Sequence, residues 1–383
     1  MKSHKNAVIF LSSLIFVSSL LYTYILDFSY PVDIEVLVAS ILDWLFTVLI
    51  IALVMRMYPT RFLYLYNHFN FSVRCVLNEN MVLISVLTFI AMCFAYSRLN
   101  FILAGATRED LVFGNTSNRL MSLISPIIVF VCAYSVVFSS KAINIAFLLL
   151  GVVAIGVYNL SRSEFSNLIF IMLAFTVIKK ISLRQALFFV FFFFVIIVFV
   201  TIMTIYQGRA QSLATSLMGV LHAFFKYKSF AFYLSEYAID KVNGDVEHVL
   251  YPFFGFIIER FLSVIELISN PISVQDSSFI TDFHSLGPST EYDANVLYPW
   301  WSWFYGCFGI VGILLKAIYV FCILVVVVRT RFAFTSIYFI YVMLFTSFYR
   351  HPLLNADSFF FLLAIILLDL FFLMKIKKPS LIH

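Results

Sequence analysis

Apolar runs of close to 20 residues recur from one end of the chain to the other, and short polar connections separate them. A helix of that length, rising about 1.5 Å per residue, crosses a hydrocarbon core of about 30 Å. The pattern predicts ten spans. The first four run from about Ala7 to Leu26, Val36 to Met55, Met81 to Ser97 and Leu120 to Phe138. The next three run from about Ala142 to Tyr158, Phe165 to Ile178 and Ala186 to Tyr206, the last containing the phenylalanine-rich run Phe188–Phe194. The final three run from about Trp300 to Val328, Phe332 to Tyr349 and Ser358 to Met374. The alternation of period two that marks an outer-membrane barrel is absent.

One long stretch breaks the pattern. Between Gln207 and Pro299 there is no membrane-length apolar run. Ten of the twenty acidic residues fall there, from Glu236 to Asp293, accompanied by Arg209, Lys226, Lys228, Lys241 and Arg260. Leu213 to Leu234 is apolar and aromatic but interrupted by His222, Lys226 and Lys228. Tyr251 to Ile268 is apolar, with Glu259, Ser263 and Glu266 on one helical stripe. Segments of this kind suit helices lying in a membrane interface. Lys241 to His248 reads as a turn around Gly244, and Asn270 to Pro299 as an irregular stretch punctuated by Pro271, Gly287, Pro288 and Pro299. The expected fold is an all-α polytopic membrane protein: spans one to seven in residues 1–206, a large external loop with interfacial helices in 207–299, and spans eight to ten in 300–383.

Composition agrees. Hydrophobic residues make up 63% of the chain and charged residues 12%, about half the charged fraction of a soluble domain. The net charge of +5 does not point to nucleic acid, because the basic residues gather in alternate short connections. On the ten-span reading, 14 of the 25 Lys and Arg lie on one side, with Glu79 as the one clear acidic loop residue there. By the positive-inside rule that side is cytoplasmic, both termini lie on it, and the large loop is external. Tyr22 and Tyr24 end the first run where a cleavable signal would place small residues. The cysteines (Cys75, Cys93, Cys132, Cys307 and Cys322) lie outside the large loop, which argues against a disulfide framework.

No glycine-rich phosphate loop, paired-cysteine site or His-Glu-x-x-His is present, so neither a metal nor another cofactor is expected. Arginine at the outer ends stands out instead: Arg98, Arg119, Arg162, Arg209, Arg260 and Arg350. A guanidinium is a permanent cation whose planar fork matches phosphate oxygens. For any one of these arginines alone, snorkelling to lipid headgroups is the more ordinary reading. Six on the side where positive charge is disfavoured point to an anionic substrate. Arg162, in the tight turn Asn159-Leu160-Ser161-Arg162-Ser163-Glu164, is the leading candidate, with a structural pair to Glu164 as its alternative. His284, beside Asp282, has the pKa range of a general base at neutral pH. Asp282, Glu291 and Asp293 compete with it. Lys316, inside the eighth span, requires an acidic partner in the bundle or a bend in the segment.

Several of these features together resemble the O-antigen polymerase (Wzy-type) family of bacterial repeat-unit polymerases. The Ser161-Arg162 turn is similar to the Ser-Arg turn that opens a span there. Asp293-Ala294-Asn295-Val296-Leu297-Tyr298, followed by Gly306, Gly309 and Gly312, resembles the re-entry from the family's large outer loop. The resemblance implies a metal-independent membrane glycosyltransferase that joins undecaprenyl-pyrophosphate-linked oligosaccharides into surface polysaccharide at the outer face of the inner membrane. Arg162, assisted by Arg98, Arg119, Arg209, Arg260 and Arg350, would hold the pyrophosphate, and His284 or Glu291 would take the proton of the acceptor hydroxyl. A chain-length regulator and a flippase are the protein partners it suggests beside the lipid bilayer. Two alternatives stay open: a ligase of the same architecture that transfers glycan to lipid A-core, and a lipid-linked oligosaccharide transporter. A transporter would carry its charges in a central cavity rather than in one dominant loop.

Overall fold

The computed structural model describes residues 2–103, 119–138, 141–159, 163–180, 213–269, 271–272, 284–289, 292–294 and 297–375, with scattered positions between 187 and 202. Among them, seven helices are long and apolar enough to cross a membrane. These are α1 (Lys2–Ile25), α2 (Ile34–Met57), α5 (Met81–Leu103), α6 (Arg119–Val137), α7 (Ala142–Asn159), α13 (Ile310–Arg329) and α15 (Ala356–Lys375). Two shorter apolar helices join them: α8 (Ser163–Thr176), and α14 (Ala333–Tyr341) continued by a π-helical turn, Val342–Thr346. The expected seventh span, Ala186 to Tyr206, lies largely outside the described residues.

The connection that carries Arg56, Arg61 and Arg74 is itself helical. Pro59 opens α3 (Pro59–Asn67), a position where its missing N–H costs nothing. A π-helical segment, His68–Val73, leads into α4 (Arg74–Glu79). The π segment packs Phe69 into a buried aromatic cluster with Tyr134, Phe138, Phe175 and Phe334, and the Tyr134 hydroxyl donates to the Phe69 carbonyl at 2.7 Å. Charged groups at this end of the bundle close helix termini. Lys179 donates to the Val137 carbonyl at 2.8 Å, at the C-terminus of α6. The buried Asp369 carboxylate accepts the Phe334 and Thr335 backbone N–H groups at 2.9 and 2.7 Å, and so caps α14 from a neighbouring helix.

Two expectations change in the structure. The eighth apolar run is not one helix: α12 (Trp300–Phe308) ends and α13 begins at Gly309, whose φ of +60° and ψ of −148° are open to glycine and strained for other residues. Lys316 then finds an acid. Its Nζ lies 2.7 and 2.6 Å from the two carboxylate oxygens of Asp43 on α2, with both side chains buried. The stripe Glu259–Ser263–Glu266 does not form either. The helix that holds Glu259 (α11, Phe256–Val264) stops before Glu266, which sits at φ +57°.

The large loop is folded against the bundle. Its first helix, α9 (Leu213–Val242), packs on α1 and α12. A short α10 (Tyr251–Phe254) precedes α11, and β1 (His284–Ser285) pairs with β2 (Asp293–Ala294) in an antiparallel hairpin, His284 opposite Ala294. Leu286 beside that hairpin is buried with Leu26, Tyr233 and Tyr298, and its carbonyl accepts from the Ser29 N–H at 2.6 Å. Asp33 caps α2 through the Glu35 N–H at 3.1 Å, and its own N–H donates to Glu236 of α9 at 3.1 Å. The α1–α2 connection and the loop therefore share one end of the molecule.

Candidate functional site at the loop end of the bundle

The turn between α14 and α15 carries Arg350, and the large loop builds it. The Trp300 N–H donates to the Ser347 carbonyl at 3.1 Å, the His351 N–H to the Tyr298 carbonyl at 2.9 Å, and the Phe256 N–H to the Leu353 carbonyl at 2.9 Å. Gly255 lets the chain come this close. A Cβ there would clash with the Leu353 carbonyl oxygen, at a φ of +53°. His351 is wholly buried, and its two neighbours fix its tautomer. The Leu353 N–H can only donate, to Nδ1 at 2.9 Å, so Nε2 carries the hydrogen and donates to the Pro252 carbonyl at 3.1 Å. Burial pushes its pKa down to about 3, so it is neutral at physiological pH and serves as a pin.

Next to this pin lies a cluster of polar groups drawn from α6, α7, α8, α14 and α15. Glu164, in the first turn of α8, accepts from the Ser125 hydroxyl of α6 at 3.3 Å and from the Asn159 amide at 3.1 Å. Arg350 and Asp357 both act electrostatically on it. The Asp357 carboxylate accepts from Ser122 of α6 at 3.0 Å. Arg350 donates to Ser358 at 3.5 Å, while its buried Nε has no hydrogen-bond partner. Tyr341, whose hydroxyl donates to Asn167 at 2.8 Å, and Tyr349 also feel its charge. A guanidinium with spare donors, set beside a carboxylate and several hydroxyls, is suited to gripping a phosphorylated, polyhydroxylated molecule.

Lys228 of α9 borders the same turn. Its Nζ sits over three rings, 3.2 Å from the Phe224 centroid, 4.5 Å from Phe170 and 5.7 Å from Tyr349. The residue is 6% exposed, and the ammonium makes no hydrogen bond. Ring contacts contribute about 2 kcal/mol when desolvated, whereas removing an ion from water costs several kcal/mol. The rings alone do not offset the burial of this charge.

No family model, curated protein or solved structure matches the chain. The site is therefore read from its own geometry. Of the arginines expected there, Arg350 joins the cluster. Arg119 begins α6 one turn before Ser122 and is exposed. Arg98 lies over the Tyr158 ring of α7 at 4.9 Å. Arg260 is exposed on α11, with its guanidinium 5.6 Å from the Phe256 centroid. Arg162, Arg209, Glu291 and Asp282 lie outside the described residues.

His284 is half-buried in the hairpin and stacks on Tyr237 at 3.7 Å, and the Tyr237 hydroxyl meets that of Tyr30 at 2.9 Å. Tyr237 is nine residues beyond Lys228 on α9, a rise of about 13 Å. His284 and the Lys228 box thus mark two levels of the loop end. A second histidine braces the loop: His248 Nδ1 lies 3.0 Å from Glu259, whose other oxygen accepts from the Ile272 N–H at 2.8 Å. Sequence reasoning missed Glu164, Asp357 and Lys228 as site residues. Glu164 and Asp357 share a detectable signal, since each is a carboxylate in the first turn of an apolar helix.

Proposed function

We propose that the protein is a membrane glycosyltransferase that polymerises undecaprenyl-pyrophosphate-linked oligosaccharide repeat units at the outer face of a bacterial plasma membrane. The observation that supports this most is the Arg350–Glu164–Asp357 cluster, set at helix ends and backed by the folded loop. In the reaction, the bond between the donor sugar's C1 and its pyrophosphate oxygen breaks as the acceptor hydroxyl oxygen bonds to C1. The hydroxyl proton passes to a base, and undecaprenyl pyrophosphate leaves with the electron pair. Arg350, with Arg162, which directly precedes α8 in the sequence, stabilises the negative charge that grows on the leaving group. His284 and Glu291 are the bases expected from the sequence, and Glu164, within electrostatic range of Arg350, is a third.

The test uses proteoliposomes supplied with lipid-linked repeat units, with product length read on a gel. Wild type should build a ladder. Arg350→Ala and Arg162→Ala should each remove it without loss of folded protein, and Arg350→Lys should restore only part, because an ammonium lacks the bidentate fork. Glu164→Gln, compared with His284→Ala, assigns the base, whose loss costs about 10²–10⁴-fold in rate. A wild-type protein that makes no ladder, or full activity in both arginine-to-alanine variants, overturns the reading.

A further inference from the structure

We propose that Lys228 is the deep contact for a phosphate-type anion, a second cationic grip set below the Arg350 cluster and framed by Phe170, Phe224 and Tyr349. The inference rests on the glycosyltransferase reading for the identity of the lipid that brings the anion, and on geometry for the site.

Three observations carry it. The first is that Lys228 is buried and its ammonium is unpartnered, although it has three donors to satisfy. Two other lysines among the described residues do not share this condition: the buried Lys316 has both oxygens of Asp43, and the half-buried Lys179 has the Val137 carbonyl. The second is placement. Tyr349 lines the box and is the residue before Arg350. Phe170 lies six residues into α8 from Glu164, about 9 Å along the helix. Lys228 is therefore deeper in the bundle than the carboxylate, on a line that leads inward from the cluster. A lipid diphosphate has this polarity: its sugar projects from the membrane, and its phosphates sit closer to the hydrocarbon. The third is the nature of the box. Aromatic walls shed water and direct the ammonium, and among the described residues no carboxylate completes its shell. Burial also lowers the Lys228 pKa well below its ordinary value, and an anion alongside would restore the proton.

The experiment uses the full chain in nanodiscs of zwitterionic lipid, with three probes: undecaprenyl phosphate, inorganic pyrophosphate, and phosphatidylglycerol doped into the disc. Binding is measured for wild type, Lys228→Gln, Lys228→Met and Lys228→Arg, with melting temperature recorded alongside. The expected result is a tenfold or greater loss of undecaprenyl phosphate affinity in Lys228→Gln and Lys228→Met, retention within threefold in Lys228→Arg, and melting temperatures at or above wild type. Competition by pyrophosphate supports recognition of the phosphate group itself. Lys228-dependent binding of phosphatidylglycerol but not of undecaprenyl phosphate keeps the anion site and assigns it to a lipid headgroup. Equal affinity for every probe in folded wild type and Lys228→Gln overturns the proposal. The two readings separate in the proteoliposome assay. A wild-type ladder with an unchanged KM in Lys228→Gln sinks the Lys228 site and leaves the polymerase. Lys228-dependent binding in a protein that builds no ladder sinks the polymerase and leaves the site.

Discussion

Two of the lysines buried over aromatic rings among the described residues live in opposite circumstances. Lys316 lies 5.3 Å from the Trp300 ring and is held by both oxygens of Asp43 on a facing helix. Lys228 lies against Phe224 with no acceptor near its ammonium among the described residues. Desolvation acts on both, but a counter-charge has been supplied to one only. A paired buried ion fixes how α2 and α13 meet, and it is complete without any ligand. An unpaired one leaves donors unused in the resting protein. The contrast separates scaffold from site without reference to any relative.

The largest expected effect breaks the scaffold pair. Asp43→Ala leaves Lys316 as an uncompensated buried charge, which typically costs about 3–5 kcal/mol. The variant should melt far below wild type in detergent or be lost during membrane extraction. Replacing both partners, Asp43→Leu with Lys316→Leu, should recover most of that loss, since a buried pair exchanged for apolar side chains is often neutral. A double variant no more stable than Asp43→Ala would show that the pair does more than balance charge.

An intermediate effect tests how the loop holds the Arg350 turn. Gly255→Ala places a methyl group against the Leu353 carbonyl at a backbone angle strained for side chains. The strain costs about 1–3 kcal/mol, and relief requires the turn to move. We expect polymer formation to fall more steeply than melting temperature. Proportionate losses in the two would mean that the turn tolerates displacement.

The smallest effect is a pH dependence in the loop. The Glu259 hydrogen bond raises the His248 pKa, with the charges of Glu259, Asp245 and Glu247 adding to the rise and burial opposing it. Because the folded-state value lies above the unfolded one, the stabilisation is fully present below the unfolded value of about 6.5. It fades as pH climbs through the raised folded value. Amide exchange in residues 245–272 should therefore speed up on the alkaline side, beyond the ordinary base catalysis of exchange. His248→Gln should remove that extra slope, and a slope unchanged in the variant would assign it to another group.

Much of the frame was legible in the sequence because membrane spans depend on length and apolarity, which are local properties. The Ala142–Asn159 helix starts at the residue expected and ends one residue beyond. The break at Gly309 was hidden because Trp300 to Val328 is apolar throughout, and hydropathy carries no backbone angle. Lys316 announced a partner without naming it, since Asp43 is 273 residues away. The site is harder. Arg350 stands out by residue type and position. Glu164 enters the sequence reading only as the alternative ion-pair partner of Arg162, which lies outside the described residues, and its hydrogen bonds from Ser125 and Asn159 come from tertiary packing. Lys228 looked like an interruption in an aromatic segment, and only tertiary packing shows that the aromatic residues surround it.

The hydrogen bonds that pin the Arg350 turn also set an order of assembly. Pro252 and Phe256 leave the ribosome about a hundred residues before His351 and Leu353, and α13 and α14 must be inserted in between. Until then the loop's acceptor at Pro252 and donor at Phe256 have no protein partner on that side. However well its first spans have formed, a nascent chain therefore lacks the pinned turn, and the Arg350 cluster closes only as the final helix arrives. Biogenesis itself thus keeps the Arg350 turn unpinned in an incomplete chain.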